Sequence, residues 1–153
     1  MKTFLITILF LTIFTNCSTN NAFSYFDMNQ KQAKSEDSLQ SSKIFNKKSN
    51  EGIVSVIYLN RVLADEFSNK EYFYIYLYVK NRLEPVEFFL NGEKSQEVKI
   101  LKPQNKFSQL SSFNPKWQKY YLVAFSKQER ETLRLKVQTS QSSSGEMIFQ
   151  TQE

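Results

Sequence analysis

The sequence predicts an all-β protein in which about seven strands form a sandwich. Short runs of β-branched and aromatic residues recur from Gly52 onwards, and turn-forming residues separate them. The chain of 153 residues contains 14 Phe and 8 Tyr and is 41% hydrophobic, which is enough apolar surface to build a core. Few stretches repeat with the helical period of 3.6 residues. A chain of this length accommodates one domain of ordinary size.

The first sixteen residues are typical of an export signal. A short basic start, Met1-Lys2, precedes an unbroken apolar and threonine run from Thr3 to Phe14. A membrane-spanning helix needs roughly 20 apolar residues, whereas the apolar region of a signal peptide has about 7–15. The run falls in the second range, so residues 1–16 are predicted to be a signal peptide.

A cysteine follows this run directly. The sequence Phe14-Thr15-Asn16-Cys17, with small polar residues after it, resembles the lipobox of bacterial lipoproteins, although that family usually has Leu in place of Phe14 and Gly or Ala in place of Asn16. The resemblance implies cleavage before Cys17 and acylation of that cysteine. Ser18 resembles the sorting signal of enteric lipoproteins that reach the outer membrane and face the periplasm. Two alternatives stay open: Cys17 is incidental in an ordinary leader, or the leader is a retained anchor.

Residues 17–51 are predicted to be the lipidated cysteine and a flexible polar tether. The stretch is rich in Ser, Asn, Gln and Lys and shows no sustained period, and about 34 flexible residues would span roughly 30 Å. Ala22–Met28 is unusually apolar for a tether because it contains Phe23, Tyr25 and Phe26. This segment could lie at the membrane interface, dock as an extra strand or have no role.

The β domain is predicted over residues 52–153, and KEYFYIYLYVKN gives its clearest strand signal. In a strand, alternate side chains point to opposite faces. The apolar face carries Phe73, Ile75, Leu77 and Val79. The other face carries Tyr72, Tyr74, Tyr76 and Tyr78. The preceding GIVSVIYLN predicts another strand because it is rich in β-branched residues.

Turn chemistry and alternation predict the remaining elements. PVEFFLNGEKSQEVKIL is interpreted as a hairpin, because Asn91-Gly92 tolerates the positive φ angles of a two-residue turn. Three further strands are predicted over WQKYYLVAFS, the stretch from Leu133 to Val137 and the final MIFQTQ. One helical turn is predicted over RVLADEF. Tyr120 or Tyr121 could form a tyrosine corner, in which the hydroxyl braces the preceding loop.

Seven short strands favour an immunoglobulin-like β-sandwich, the commonest arrangement with this number of strands. The Cys…Trp…Cys pattern of antibody domains is absent, so the expectation depends on strand count. The plan of the chain is similar to that of small uncharacterised lipoproteins of Gram-negative bacteria with an immunoglobulin-like domain. That resemblance implies a location and an architecture, and it implies no catalytic motif.

Composition argues against most enzymes and against nucleic-acid binding. The chain has no histidine and one cysteine, which excludes Ser-His-Asp and Cys-His sites, histidine-ligated zinc and an internal disulfide. Twenty basic and 15 acidic residues are interspersed, without the clustered basic footprint of a nucleic-acid site. No phosphate-binding glycine loop or calcium loop is present. We therefore expect no enzymatic activity, no cofactor and no metal.

Two sets of residues are candidate binding sites. Tyr72, Tyr74, Tyr76 and Tyr78 would form an aromatic patch for a protein or carbohydrate partner if their face of the strand points outward. The alternative is that these tyrosines cover the sheet or lie beneath loops. The second set would meet anionic lipid or lipopolysaccharide, or would form an ordinary solvated face: Arg130, Arg134, Lys136, Lys116, Lys119 and Lys127.

The predicted function is that of a non-enzymatic, lipid-anchored envelope protein whose sandwich binds another envelope protein. A carbohydrate- or lipid-binding module is the alternative, and it predicts a ligand-sized groove lined by tyrosine. An enzyme is the weakest alternative because it would need carboxylates or Tyr and Lys in a buried cleft.

Overall fold

Ten strands and two short α-helices make up the described part of the computed structural model, which covers residues 30–47, 49–80, 85–112 and 114–151. The helices are α1 (Gln30–Asp37) and α2 (Leu59–Val62), and a short 3₁₀ helix spans Ser108–Leu110. The strands are β1 (Leu39–Phe45), β2 (Asn50–Tyr58), β3 (Glu71–Val79), β4 (Glu87–Leu90), β5 (Glu93–Lys94), β6 (Glu97–Leu101), β7 (Lys119–Phe125), β8 (Thr132–Gln138), β9 (Ser143–Ser144) and β10 (Met147–Gln150).

The strands form one antiparallel sheet that curls back on itself. Its order is β5-β4-β8-β9-β1-β2-β3-β7-β6. Strand β10 pairs with β8 along the edge opposite β4. Apolar side chains of β1, β2, β3 and β7 pack against those of β4, β8 and β10, so the two halves enclose a main core as in a sandwich. The all-β, sandwich-like fold is therefore confirmed, and the immunoglobulin-like topology stays a prediction.

Alternation along the strands builds the main core. Phe73, Ile75 and Leu77 of β3 are completely buried, as the period of two predicts for one face of a strand. The opposing half contributes Leu133 and Leu135 of β8, which are equally buried. The core therefore lies between the two halves of the curled sheet.

The start of the domain differs from the prediction. Helix α1 and strand β1 lie within residues 17–51, where a flexible tether was expected, and β1 pairs with β2 along its whole length. The tether prediction is wrong for the described residues of this range, and the fold begins before Gly52. Of the β1 side chains only Ile44 reaches the main core. Backbone pairing and serine hydrogen bonds also hold the strand. Its apolar residues do not alternate, so no apolar pattern revealed it.

The predicted hairpin contains a third strand that changes sides. Asn91 and Gly92 have φ angles of 52° and 88°, which confirms the turn between β4 and β5. Two residues after β5, however, β6 begins and pairs with β7 in the other half of the sheet. The crossing is one reason why ten strands occur where about seven were expected.

Two smaller predictions concern the chain before β3 and before β7. The helical turn expected over RVLADEF is displaced, because α2 begins at Leu59 and only turns follow it. The Tyr120 hydroxyl donates to the Pro115 carbonyl at 2.9 Å and thus braces the preceding loop as a tyrosine corner does. Tyr121 instead faces the main core, where its ring centroid lies 5.2 Å from that of Phe88.

Candidate functional site

The tyrosine face of β3 is mostly covered by protein. Tyr74 and Tyr76 are buried in a second core on the side of the sheet opposite the main core. Its cover includes Leu59 and Val62 of α2, Phe67, and Phe107 and Leu110 from the connection between β6 and β7. The outward-facing patch of four tyrosines is therefore wrong for the two central residues, which lie beneath loops as the alternative predicted. Tyr72 is half-buried, and Tyr78 is the exposed member.

The hydroxyl groups of this second core meet polar partners at its rim. Asn105 Nδ2 donates to the Tyr74 hydroxyl at 3.3 Å, and Ser111 Oγ donates to the Tyr76 hydroxyl at 3.5 Å. Burial raises the pKa of Tyr74 to about 12 and also raises the pKa of Tyr76. The stacked ring of Tyr120 lies 6.2 Å from each of them. These tyrosines are structural residues.

Helix α1 completes the cover. The Ser35 hydroxyl is buried and donates to the Leu110 carbonyl at 2.6 Å. On the same connection, Ser112 Oγ accepts from Gln32 Nε2 at 3.2 Å and donates to the Glu36 carboxylate at 3.0 Å. A segment with almost no apolar surface thus closes a core through hydrogen bonds.

An exposed aromatic patch lies where this cover ends. We define the aromatic patch as Ile53, Tyr78 and Trp117, which are 50%, 36% and 45% exposed. Ile53 pairs with Tyr78 across β2 and β3, and the Tyr78 and Trp117 rings meet edge-on with centroids 5.4 Å apart. Lys43 is the β1 partner of Ile53, and Lys80 follows Tyr78 by two residues. The patch offers apolar and aromatic contact beside two cations.

A second exposed apolar surface lies on strand β6. In the described part of the chain β6 pairs with β7 alone, and Val98 and Ile100 are 46% and 76% exposed. Their cross-strand partners Val123 and Tyr121 belong to the main core, so Val98 and Ile100 lie on the core side of the sheet. Sequence analysis missed this surface because it assigned the strand to a closed hairpin.

The basic residues predicted as one set are dispersed. Arg134 lies on β8, where its guanidinium pairs with Glu146 at 3.2 Å, whereas Lys119 lies on β7, which does not neighbour β8 in the sheet. Lys127 pairs with Glu71 at 3.3 Å. Lys116 is exposed beside Trp117, and Arg130 and Lys136 belong to the region of β8. The fold does not bring the six side chains together as one site.

A buried carboxylate is the main polar feature that the sequence did not indicate. Glu71 is 0% exposed, accepts a 2.5 Å hydrogen bond from the Tyr58 hydroxyl and a 3.1 Å bond from the Gln128 backbone, and pairs with Lys127. Burial and the contact with Glu71 raise the pKa of Tyr58. Because these groups satisfy the carboxylate, it holds the β7–β8 connection against the start of β3.

Three clefts in the described part of the chain are not lined by the tyrosines of β3, although Val79 at the end of this strand lines one of them. One of about 230 Å³ separates the β1–β2 hairpin from the loop after β8, and Glu51 and Gln141 are among its lining residues. Neither it nor the two neighbouring clefts along β1 are lined by Tyr72, Tyr74, Tyr76 or Tyr78. Within the described ranges no group of three or more Cys, Asp or Glu residues is placed to hold a metal ion.

The leader, Cys17 and Ala22–Met28 lie outside the described residues, so lipidation stays a prediction. Among the helices that are described, none has the length and apolar character needed to cross a membrane. Comparison of the chain with protein-family models, curated proteins and solved structures finds no match.

Proposed function

We propose that this chain is a non-enzymatic lipoprotein of the bacterial outer membrane, held by an acylated Cys17 and facing the periplasm. In this proposal its sandwich binds an extended segment of another envelope protein along β6. The observation that carries the binding site is the exposed edge strand with Val98 and Ile100 on its surface. The proposal of a lipid anchor rests on the apolar run at the start of the chain and on the cysteine that follows it.

The two ends of the sheet differ in a way that favours β6 as a binding edge. At one end β5 has only two residues, Glu93 and Lys94, both charged and exposed, which protects an edge from further pairing. At the other end β6 has five residues, and two of its exposed side chains are branched and apolar. A partner strand added here would gain main-chain hydrogen bonds and would cover Val98 and Ile100.

Other features of the strand are consistent with binding of this kind. Glu97 forms an ion pair with Lys70 and is thereby held at the start of β6. The side chain of Ile100 is the most exposed of the large hydrophobic residues that the structure describes. Removing such a side chain from water would contribute about 1.5–3 kcal/mol to binding. A partner with alternating apolar residues fits this surface best.

Site-specific crosslinking in cells tests the binding edge. A photo-activated amino acid at position 100 of the full-length chain should give one discrete adduct, mapped by mass spectrometry to an extended segment of the partner. The matched control position is Ile148 on β10, which is 45% exposed and lies outside the proposed surface. Ile100→Lys should remove the partner from co-purification, and Ile148→Lys should not. Equal adducts at both positions, or none at position 100, would contradict the edge-strand site.

The lipid anchor has its own test. The mature protein extracted from membranes should carry the mass of an acylated N-terminal cysteine and incorporate a palmitate analogue. Cys17→Ser should abolish both and leave an unprocessed, unlabelled chain. Label in the Cys17→Ser variant, or an N-terminus elsewhere in the wild type, would contradict the lipoprotein proposal without bearing on β6.

Carbohydrate or lipid binding in a tyrosine-lined groove has less support, because Tyr74 and Tyr76 are covered. Stacking on a sugar ring needs an accessible aromatic face. A glycan array with the full-length protein checks this alternative.

A further inference from the structure

We propose that the aromatic patch of Ile53, Tyr78 and Trp117 docks on the surface of the phospholipid bilayer that holds the acyl chains of Cys17. This inference goes beyond the binding edge on β6, and it rests on the proposed lipidation. The occupant of the patch is thus the lipid interface, with anionic headgroups beside Lys43 and Lys80.

The length of chain before α1 brings the domain close to the bilayer. Only twelve residues separate Cys17 from Gln30, the first residue of α1. Whatever its conformation, a chain of this length reaches no further than roughly 45 Å, which is the limit set by full extension. A domain of this size is itself about 30 Å across, as compact chains of its length are. An acylated Cys17 would therefore keep the domain within roughly one and a half of its own diameters of the bilayer, so that one of its surfaces can reach the headgroups.

The chain enters the domain on the face that carries the patch. Helix α1 packs against α2 and the 3₁₀ helix, which cover the tyrosine face of β3, and Gln32 near its start donates a hydrogen bond to Ser112 in the connection between β6 and β7. Trp117 belongs to the same connection, five residues after Ser112. Tyr78 continues the row of Tyr74 and Tyr76 beyond the edge of the cover. The described chain thus begins on the side of the sheet that carries the patch.

The chemistry of the patch suits a lipid interface. Trp and Tyr have apolar rings with one polar group, and such side chains are enriched where hydrocarbon meets headgroups. Ile53 adds apolar surface beside them, and Lys43 and Lys80 can approach phosphate groups. The nearby carboxylate of Glu51 accepts hydrogen bonds from Ser49 and Asn46 in the β1–β2 turn. The Lys–aromatic combination favours an anionic bilayer over a neutral one.

The experiment uses Trp117 as the reporter, because it is the single tryptophan of the chain. The full mature protein, with its acyl mass verified, is reconstituted in vesicles of phosphatidylethanolamine and phosphatidylglycerol. Lipids brominated in the upper acyl chain should quench most Trp117 emission, the emission should shift to shorter wavelength, and aqueous iodide should lose access. The control combines Trp117→Phe with Ile148→Trp, which moves the reporter to a position of equal exposure on β10. The relocated tryptophan should keep its iodide access.

Charge reversal separates docking from mere proximity. Lys43→Glu combined with Lys80→Glu should restore iodide access to Trp117, whereas Arg130→Glu combined with Lys136→Glu makes the same charge change elsewhere and should not. Equal iodide access at the two reporter positions in acylated protein would overturn the docking and leave the lipoprotein proposal intact. Absence of the acyl mass would overturn both.

Discussion

The two faces of β3 differ in how they are buried. On one face, Phe73, Ile75 and Leu77 meet the opposing half of the sheet, and large apolar surfaces cover them completely. On the other, Tyr74 is buried, whereas Tyr78 is exposed, because helices and connections cover only part of the strand. The alternation of the sequence therefore predicts which side chains share a face of the strand. Which of them stay exposed to water depends on how far the helices and connections extend over that face.

The residue types fit the two kinds of cover. A sheet half covers its partner with apolar side chains, so a hydroxyl there needs a dedicated acceptor, as Tyr58 has in Glu71. Loops bring polar groups with them: Asn105 donates a hydrogen bond to the Tyr74 hydroxyl, and Ser111 donates one to the Tyr76 hydroxyl. Tyrosine thus suits a core that polar loops close.

The largest effect is expected from comparing two isoleucines on neighbouring strands, Ile75 on β3 and Ile53 on β2. Ile75→Ala in the main core should lower the free energy of unfolding by about 2–5 kcal/mol, because it leaves a cavity between the sheet halves. Ile53→Ala, in the half-exposed aromatic patch, should change it by less than about 0.5 kcal/mol. Urea denaturation followed by circular dichroism measures both. Similar losses would mean that the patch is buried in solution.

A smaller effect is expected from removing one tyrosine hydroxyl on each side of the sheet. Tyr58→Phe removes the donor to the buried Glu71 carboxylate and should cost about 1.5–3 kcal/mol, as bonds to charged groups do. Tyr72→Phe removes a 3.1 Å bond to Asn69 at the exposed end of the tyrosine face and should cost under about 0.5 kcal/mol. The same denaturation curves test the pair. A larger loss for Tyr72→Phe would reverse the comparison.

Among the three buried residues substituted, Tyr74 should give the smallest effect at neutral pH, because Tyr74→Phe is expected to lower the free energy of unfolding by about 1 kcal/mol. Its pH dependence is more informative, because burial raises the pKa of Tyr74 from 10.0 to about 12. The folded state then retains a proton that the unfolded state loses, so the contribution of Tyr74 to stability is constant below about pH 10 and falls as the pH rises towards 12. Tyr74→Phe should make this fall less steep.

Unfolding midpoints measured from neutral to alkaline pH, with tyrosinate absorbance recorded alongside, check this expectation. Val56→Ala is the matched control, since it destabilises the main core and keeps all eight tyrosines. It should lower stability by the same amount at every pH. An unchanged alkaline slope in Tyr74→Phe would show that this hydroxyl does not contribute.

The proposed sites were less predictable than the fold. The tyrosine strand was visible as a pattern, but the exposure of Tyr78 beside a buried Tyr76 depends on where the 111–118 connection ends its cover. The β6 edge depends on a chain crossing within two residues, after Lys94. Neither depends on a local signal, because each results from packing between distant segments.

The sequence by itself determined the elements whose information is local. The period of two assigned the faces of β3, the Asn91-Gly92 pair specified its turn, and Tyr120 was one of two candidates for the corner. Only the tertiary structure decided that α1 and β1 belong to the fold, since QKQAKSED contains little apolar surface and the apolar residues of LQSSKIF do not alternate. They are ordered because the edge of β2 and the rim of the second core supply hydrogen-bond partners, which no single segment encodes.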